Sequence, residues 1–185
     1  MDYTETMLSR TEHYRGRIIY VHTDTVRLPD GREARREIVE HPGGVAVLPI
    51  DADGNVYCVR QYRYAYGTHL LELPAGKLEV GEEPLSCAMR ELSEETGCTA
   101  ARYIPMGALC PSPGYCRETL YLYLATGLQR GAQHLDEGEF LDVERFPLHE
   151  LERMALTGEL RDAKTVAAVL KARYYLNQTD AGEEH

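Results

Sequence analysis

The chain has 185 residues, enough for one domain with a small appended element, and it can bury roughly 70% of its unfolded surface without a disulfide or metal. Its formal net charge of −10 argues against broad nucleic-acid binding, which needs a basic patch, and means that an anionic substrate would require local arginines or divalent cations to offset the field. No apolar run approaches the roughly 20 residues of a membrane span, MDYTETMLSR lacks a signal-peptide core, and the five cysteines include no CxxC pair, so the expectation is a cytoplasmic protein with reduced thiols and no membrane partner.

Residues 1–16 read as a flexible end. Arg17–Leu28 is strand-like, Pro29-Asp30-Gly31 makes a turn, and Glu33–Glu40 closes a hairpin. After Gly43-Gly44, the run VAVLPI reads as a buried strand, Asp53-Gly54-Asn55 as a turn, and VYCVRQYR as the partner strand. A short apolar run, Leu70–Leu73, ends at Pro74-Ala75-Gly76. A helix is predicted over Pro84–Thr96, because proline suits the first helical turn and Gly97 suits the position just past the end. Strands follow at Arg102–Leu109, Thr119–Thr126 and Glu139–Val143, then helices at Leu148–Thr157 and Asp162–Leu176, the last with Val166, Val169, Leu170 and Tyr174 on one face. The sum is an α+β chain in which residues 1–42 form an N-terminal β-hairpin extension, 43–178 the main domain, and 179–185 a tail.

The informative segment is GKLEVGEEPLSCAMRELSEETGC, Gly76–Cys98. On a helical wheel Leu85, Ala88, Met89 and Leu92 fall on one arc, with Glu91, Glu94 and Glu95 on the neighbouring one. Like charges one turn apart weaken a helix by about 0.2–0.5 kcal/mol per pair, and acids near a helix C-terminus oppose the macrodipole. A hard divalent cation would resolve that conflict, since Mg²⁺ takes oxygen ligands and is held by a few carboxylates plus substrate phosphate. The plain alternative is a solvated acidic helix face.

The spacing of the whole segment decides between them. Gly76, Glu82, Arg90-Glu91, Leu92, Glu94-Glu95 and Gly97 stand where the signature of the Nudix hydrolases has its fixed positions. Cys98 is the one departure, at a position usually aliphatic, and cysteine packs there as a small hydrophobe. The resemblance implies a Nudix-type α/β/α sandwich with a mixed β-sheet, and Mg²⁺-dependent (or Mn²⁺-dependent) hydrolysis of a nucleoside diphosphate linked to another group. It implies Glu91 and Glu95 as principal metal ligands, with Glu94 as a further ligand or an acid that orients water. The main-chain carbonyl of Ala75 would be another ligand, Glu82 would contribute through water or a hydrogen bond, and Gly76, Arg90 and Gly97 would be structural, Arg90 by pairing with a carboxylate.

The resemblance extends over roughly Arg36 to Tyr174 and is strongest to the ADP-ribose pyrophosphatase subgroup. HPGGVAVLPIDADGNVYCVRQYRYAYGTHLLELPAGKLEVGEEP, PSPGYCRETLYLYLATGL, LDEGEFLDVERF and DAKTVAAVL carry it, as does Pro113, placed sixteen residues after Gly97. By the same resemblance Glu137 and Glu139 lie in an acidic loop that supplies the catalytic base and a metal contact; Glu137 is preferred as base and Glu139 as metal-associated, although the two could exchange roles. Arg63 would contact phosphate. Arg36 and Glu40 would reach adenosine-diphosphate groups across a homodimer, with Arg35 as an equal candidate to Arg36. The expected substrate is ADP-ribose, cut to AMP and ribose 5-phosphate, with GDP-mannose or another nucleotide sugar as the alternative. A non-catalytic nucleotide-binding module of this family should have lost acids from the signature, and none is missing.

Overall fold

The computed structural model describes residues 1–182. In chain order the elements are β1 (Thr6–Arg15), β2 (Tyr20–Arg27), β3 (Glu33–Glu40), β4 (Gly44–Pro49), β5 (Asn55–Arg63), a 3-10 turn (Tyr64–Tyr66), β6 (Thr68–Glu72), β7 (Ala75–Lys77), α1 (Pro84–Thr96), β8 (Cys98–Leu109), β9 (Cys116–Arg117), β10 (Leu120–Arg130), β11 (Leu141–Pro147), α2 (Leu148–Thr157) and α3 (Ala163–Gly182). They divide into two compact units, one of residues 1–43 with 110–119, the other of residues 44–109 with the described residues from 120 onward.

The smaller unit is a sheet of order β1-β2-β3-β9. The β2–β3 hairpin pairs Tyr20 with Glu40 and Arg27 with Glu33, and β9 joins in parallel through Val39 and Cys116. Along β2 the inward positions are His22, Asp24 and Val26, which are buried while their neighbours are not. Two polar side chains can sit there because they satisfy each other: Arg10 donates twice to Asp24, at 2.7 and 2.8 Å, and His22 Nδ1 lies 3.0 Å from Asp24 Oδ1. The expectation that residues 1–16 are a flexible end is overturned, because β1 pairs antiparallel with β2 from Thr6↔Arg27 to Arg15↔Tyr20. Every β1 residue is exposed, so the segment carries no alternating pattern to read; the ladder and the Arg10–Asp24 pair hold it.

The larger unit contains two sheets, of order β7-β4-β10-β8 and β11-β5-β6. Strand β4 is buried along its whole length and runs parallel to β10. Its alternate residues serve two layers. Ala46 and Leu48, with Leu122 and Leu124 of β10, pack against Leu151 of α2 and Ala168, Val169 and Ala172 of α3. Val45 and Val47, with Tyr123 and Ala125, pack against Cys87, Ala88 and Leu92 of α1. Period-two alternation on the central strands therefore builds a helix layer on each face, the expected α/β/α sandwich. Fully burying each large side chain, Leu48, Leu92, Leu122, Leu124 and Leu151 among them, contributes about 1.5–3 kcal/mol.

Three expectations shift. The strand placed at Glu139–Val143 lies at Leu141–Pro147. Helix α3 runs on to Gly182, so part of the expected 179–185 tail is helical and the remainder lies outside the described residues. Its buried face is Thr165, Ala168, Val169 and Ala172, while Leu170 and Tyr174 are exposed. The two alanines let the helix approach the sheet closely, which larger side chains on that face would prevent. Among the described residues no helix is long and apolar enough to cross a membrane.

Candidate functional site

Helix α1 forms as predicted over Pro84–Thr96, with proline in its first turn and Gly97 in the left-handed conformation (φ 70°), where its N–H donates to the Ser93 carbonyl at 2.9 Å. Its facing differs from the wheel reading. Leu85 and Met89 are exposed, whereas Cys87, Ala88, Leu92 and Glu95 are buried. The helix has rotated its acidic edge toward the sheet, leaving the Glu95 residue only 2% exposed and the Glu91 side chain 12%.

Strand β7 crosses this edge closely. A Cβ built on Gly76 would overlap the Glu91 carboxylate, which is why glycine stands there. One residue earlier, the Ala75 N–H donates to Glu95 Oε2 at 3.0 Å. The other end of α1 is tied to the segment after β10: Gln133 Nε2 donates to the Glu95 carbonyl at 2.6 Å, His134 N–H to the Glu94 carbonyl at 3.0 Å, and Gly131 N–H to the Gly97 carbonyl at 2.6 Å. A Cβ on Gly97 would strike the backbone of residues 131–133.

Arg90 organises the remaining acids. It donates to Glu82 at 3.0 and 3.1 Å, to Glu91 at 2.8 Å and to Glu94 at 2.9 Å. The guanidinium fork matches that geometry and fixes three carboxylates at once. Beside Arg90, the Glu82 carboxyl is held down to about 2. Glu91 moves the other way: burial raises it, and Glu94 and Glu139 add to that, against the pull of Arg90. Burial pushes the Glu95 carboxyl up to about 8, reinforced by Glu91 and Glu139 and opposed by the Ala75 N–H and by Lys164. Glu139 thus lies within electrostatic reach of both buried acids, while Glu137 is exposed in the turn before it.

A second buried acid, Glu72 at the end of β6, is compensated instead. Arg63 donates to it at 2.7 and 2.8 Å, and Lys164 also binds it while contacting Asp162 at 3.0 Å. Burial alone would raise Glu72, but the two cations outweigh it and hold the carboxyl below its ordinary range. Arg63 therefore presents to Glu72 the guanidinium edge that sequence reasoning reserved for phosphate. Glu72, Lys164, Asp162 and Thr165 were not singled out from the sequence. The available signal was a glutamate inside the apolar run LLEL, since a buried acid requires partners.

The structure thus gathers Ala75, Gly76, Glu82, Arg90, Glu91, Glu94, Glu95, Gly97 and Glu139 around α1 in the larger unit. Arg36, Glu40 and Pro113 belong to the smaller unit. There Arg36 is paired with Glu5 at 2.5 and 2.9 Å, Glu40 lies 3.4 Å from His22 Nε2 and 3.5 Å from Arg117, and Arg36 and Pro113 line a cavity of about 420 Å³ with Tyr115 and Arg117.

Among the described residues no three His, Cys, Asp or Glu side chains converge as a ready-made metal cage. The donor chemistry nevertheless fits a hard cation. Glu91 and Glu95 supply oxygen only, and burial and mutual repulsion penalise their charged forms, so a divalent cation would remove a cost already present in the fold.

Comparison with known proteins identifies the family. The family model described as NUDIX domain matches residues 40–169. The chain is 38% identical over 167 residues to an ADP-ribose pyrophosphatase of Bacillus subtilis (strain 168), covering 89% of this chain and 90% of that one. It is 41% identical over 170 residues to an ADP-ribose pyrophosphatase of Mycobacterium tuberculosis, covering 90% and 81%. A methanol dehydrogenase activator of Bacillus methanolicus is 38% identical over 169 residues, covering 90% and 91%. A crystal structure titled as an ADP compounds hydrolase superposes with a TM-score of 0.83 over 95% of both chains at 24% identity, which shows that the fold is shared.

Proposed function

The chain belongs to the NUDIX family, and from that premise we propose that it is a divalent-metal-dependent pyrophosphohydrolase whose substrate is ADP-ribose. The observation that carries this reading is Glu95, a buried carboxylate with no ion pair among the described residues, held under β7 one turn from Glu91, which shares Arg90 with Glu82 and Glu94. The two relatives named ADP-ribose pyrophosphatase, matched over about nine-tenths of this chain, support the choice of substrate.

In the reaction water adds to one phosphorus of the pyrophosphate, the bridging P–O bond breaks, and AMP and ribose 5-phosphate leave. Mg²⁺, with Mn²⁺ as alternative, would be held by Glu91, Glu95 and the Ala75 carbonyl, and would offset the charge of the pyrophosphate. That offset matters on a chain of net charge −10. Arg90 keeps Glu82, Glu91 and Glu94 in one fixed array, so the ligands need not reorganise when substrate arrives. The loop at Glu137–Glu139 supplies the group that takes the proton from water: Glu137 is free of the acidic cluster and exposed, which suits a base, and Glu139 adds negative charge beside Glu91 and Glu95, which suits a metal contact. Arg36, Glu40 and Pro113 are proposed to bind the nucleotide end, supported by the cavity that Arg36 and Pro113 line. The exposed strand β1, with Met7, Leu8 and Tyr14 in solvent, suits residues 1–42 as the contact face of a homodimer, and five unpaired thiols suit a reducing compartment such as the cytoplasm.

The test is product analysis of the purified protein with Mg²⁺ against ADP-ribose, GDP-mannose, UDP-glucose, NADH and diadenosine polyphosphates in parallel. ADP-ribose should give AMP with the highest kcat/KM. A higher value for another compound overturns the choice of substrate; no turnover of any compound with Mg²⁺ or Mn²⁺ overturns the enzymatic reading.

A further inference from the structure

We propose that Thr165 and Lys164, in the first turn of α3, are positioning residues for the metal site, acting through the strap Glu72–Ala75. This rests on the reading that Glu95 and the Ala75 carbonyl hold the cation. The strap joins β6 to β7 and contains only two backbone N–H groups after Glu72, because Pro74 has none. Leu73 N–H donates to Thr165 Oγ1 at 2.9 Å, and Ala75 N–H donates to Glu95 Oε2 at 3.0 Å. One donor is therefore committed to α3 and the other to α1, and between them the Pro74 carbonyl accepts Val47 N–H at 2.9 Å from the central strand.

The α3 end of this connection is rigid. Thr165 is fully buried, its hydroxyl donates to Asp162 Oδ2 at 2.5 Å, and its own N–H donates to the same oxygen at 3.0 Å. Asp162 caps the helix, and its bond fixes the hydroxyl rotor so that a lone pair faces Leu73. Lys164 binds Asp162 Oδ1 at 3.0 Å and also binds Glu72, so the same turn grips the strap at two successive residues. Pro74 has a fixed φ and transmits a displacement of Leu73 to Ala75 instead of absorbing it. The place of the Ala75 carbonyl, and of the Glu95 carboxylate bonded to the Ala75 N–H, is thereby set from a helix that carries no proposed ligand.

Thr165→Val keeps the shape of the side chain and removes the acceptor; Thr165→Ser restores it. The readouts are amide hydrogen exchange in the metal-free protein and the Mn²⁺ dissociation constant. Thr165→Val should speed exchange at both Leu73 and Ala75 about tenfold relative to Leu122 and Leu124, and weaken Mn²⁺ binding about tenfold. Thr165→Ser should stay within about 1.5-fold of the parent on both. A folded Thr165→Val protein with unchanged Ala75 exchange and unchanged Mn²⁺ affinity overturns the proposal. A loss confined to Leu73 exchange also overturns it, because that would be a local structural bond only. If Thr165→Val does not fold, Lys164→Gln, which leaves the Leu73 bond intact, decides by the same readouts, with a shift of about threefold expected and no shift overturning the proposal. A parent protein without Glu95-dependent Mn²⁺ binding would refute the metal reading instead, and Ala75 exchange in the metal-free variants would still decide the strap.

Discussion

Glu72 and Glu95 are both buried carboxylates of the larger unit, 1% and 2% exposed, on elements joined to the same short strap. Glu72 meets two cations, Arg63 and Lys164, and its carboxyl sits below the ordinary range. Glu95 meets one backbone N–H and two other acids, and its carboxyl is pushed up to about 8. Burial costs each of them; Glu72 is offset by two contacting cations, Glu95 only in part by a backbone N–H and the field of Lys164. An ion pair that closes on itself is architecture. A buried acid left open by its own fold is a place for something the chain does not contain.

Breaking each acid in turn should separate these roles. Glu95→Gln should lower kcat/KM with Mg²⁺ on the order of 10²–10³-fold, comparable to removing a group that stabilises developing charge, while thermal melting of the metal-free protein shows the fold intact. Near-parental turnover would remove Glu95 from the metal site. Glu72→Ala should instead destabilise the fold by about 3 kcal/mol in urea titration, the lower end for a broken buried pair, because the Arg63 side chain remains 40% exposed. A change under about 1 kcal/mol, the range of an exposed pair, would mean that the trio does not anchor α3.

The two acids should also give the metal-free protein opposite pH responses. Glu72 is lowered from 4.5, so its contribution is present above that value and is lost as pH falls below it. Glu95 is raised from 4.5 to about 8, so its contribution is present below 4.5 and is lost as pH rises through about 8. Melting temperatures between pH 3 and 9 should therefore fall on both sides. Glu72→Gln should flatten the acid limb and Glu95→Gln the alkaline limb, and Mg²⁺ should stabilise the parent more at pH 8 than at pH 5 because it no longer competes with the proton. An alkaline limb unchanged in Glu95→Gln would assign that loss to another group. The smallest effect should come from the loop: Glu139→Gln is expected to weaken Mn²⁺ about tenfold (about 1.4 kcal/mol), while Glu137→Gln leaves Mn²⁺ affinity in place and lowers kcat. The reverse pattern would exchange the two roles.

Features that depend on neighbours along the chain were legible in the sequence. Pro84 and Gly97 bound α1 because each acts within one turn of itself, and the helix falls where those residues put it. The unbroken apolar run of β4 announces burial on both faces for the same local reason. The acidic signature is also local, since Glu82, Arg90, Glu91, Glu94 and Glu95 all lie within Gly76–Cys98. Tertiary contacts decided the rest. Strand β1 exists because β2 offers it a ladder, and nothing in TMLSRTEHYR alternates. Which arc of α1 turns inward was settled by the strap above it, where Ala75 offers an N–H and Gly76 leaves room for a carboxylate, so Glu95 is buried while Leu85 and Met89 stay in solvent. The partners of Glu72 lie nine and 92 residues away along the chain. Residue types and their local spacing determined what chemistry this protein carries; long-range pairing, which no local pattern encodes, decided which of its acids are neutralised and which remain open.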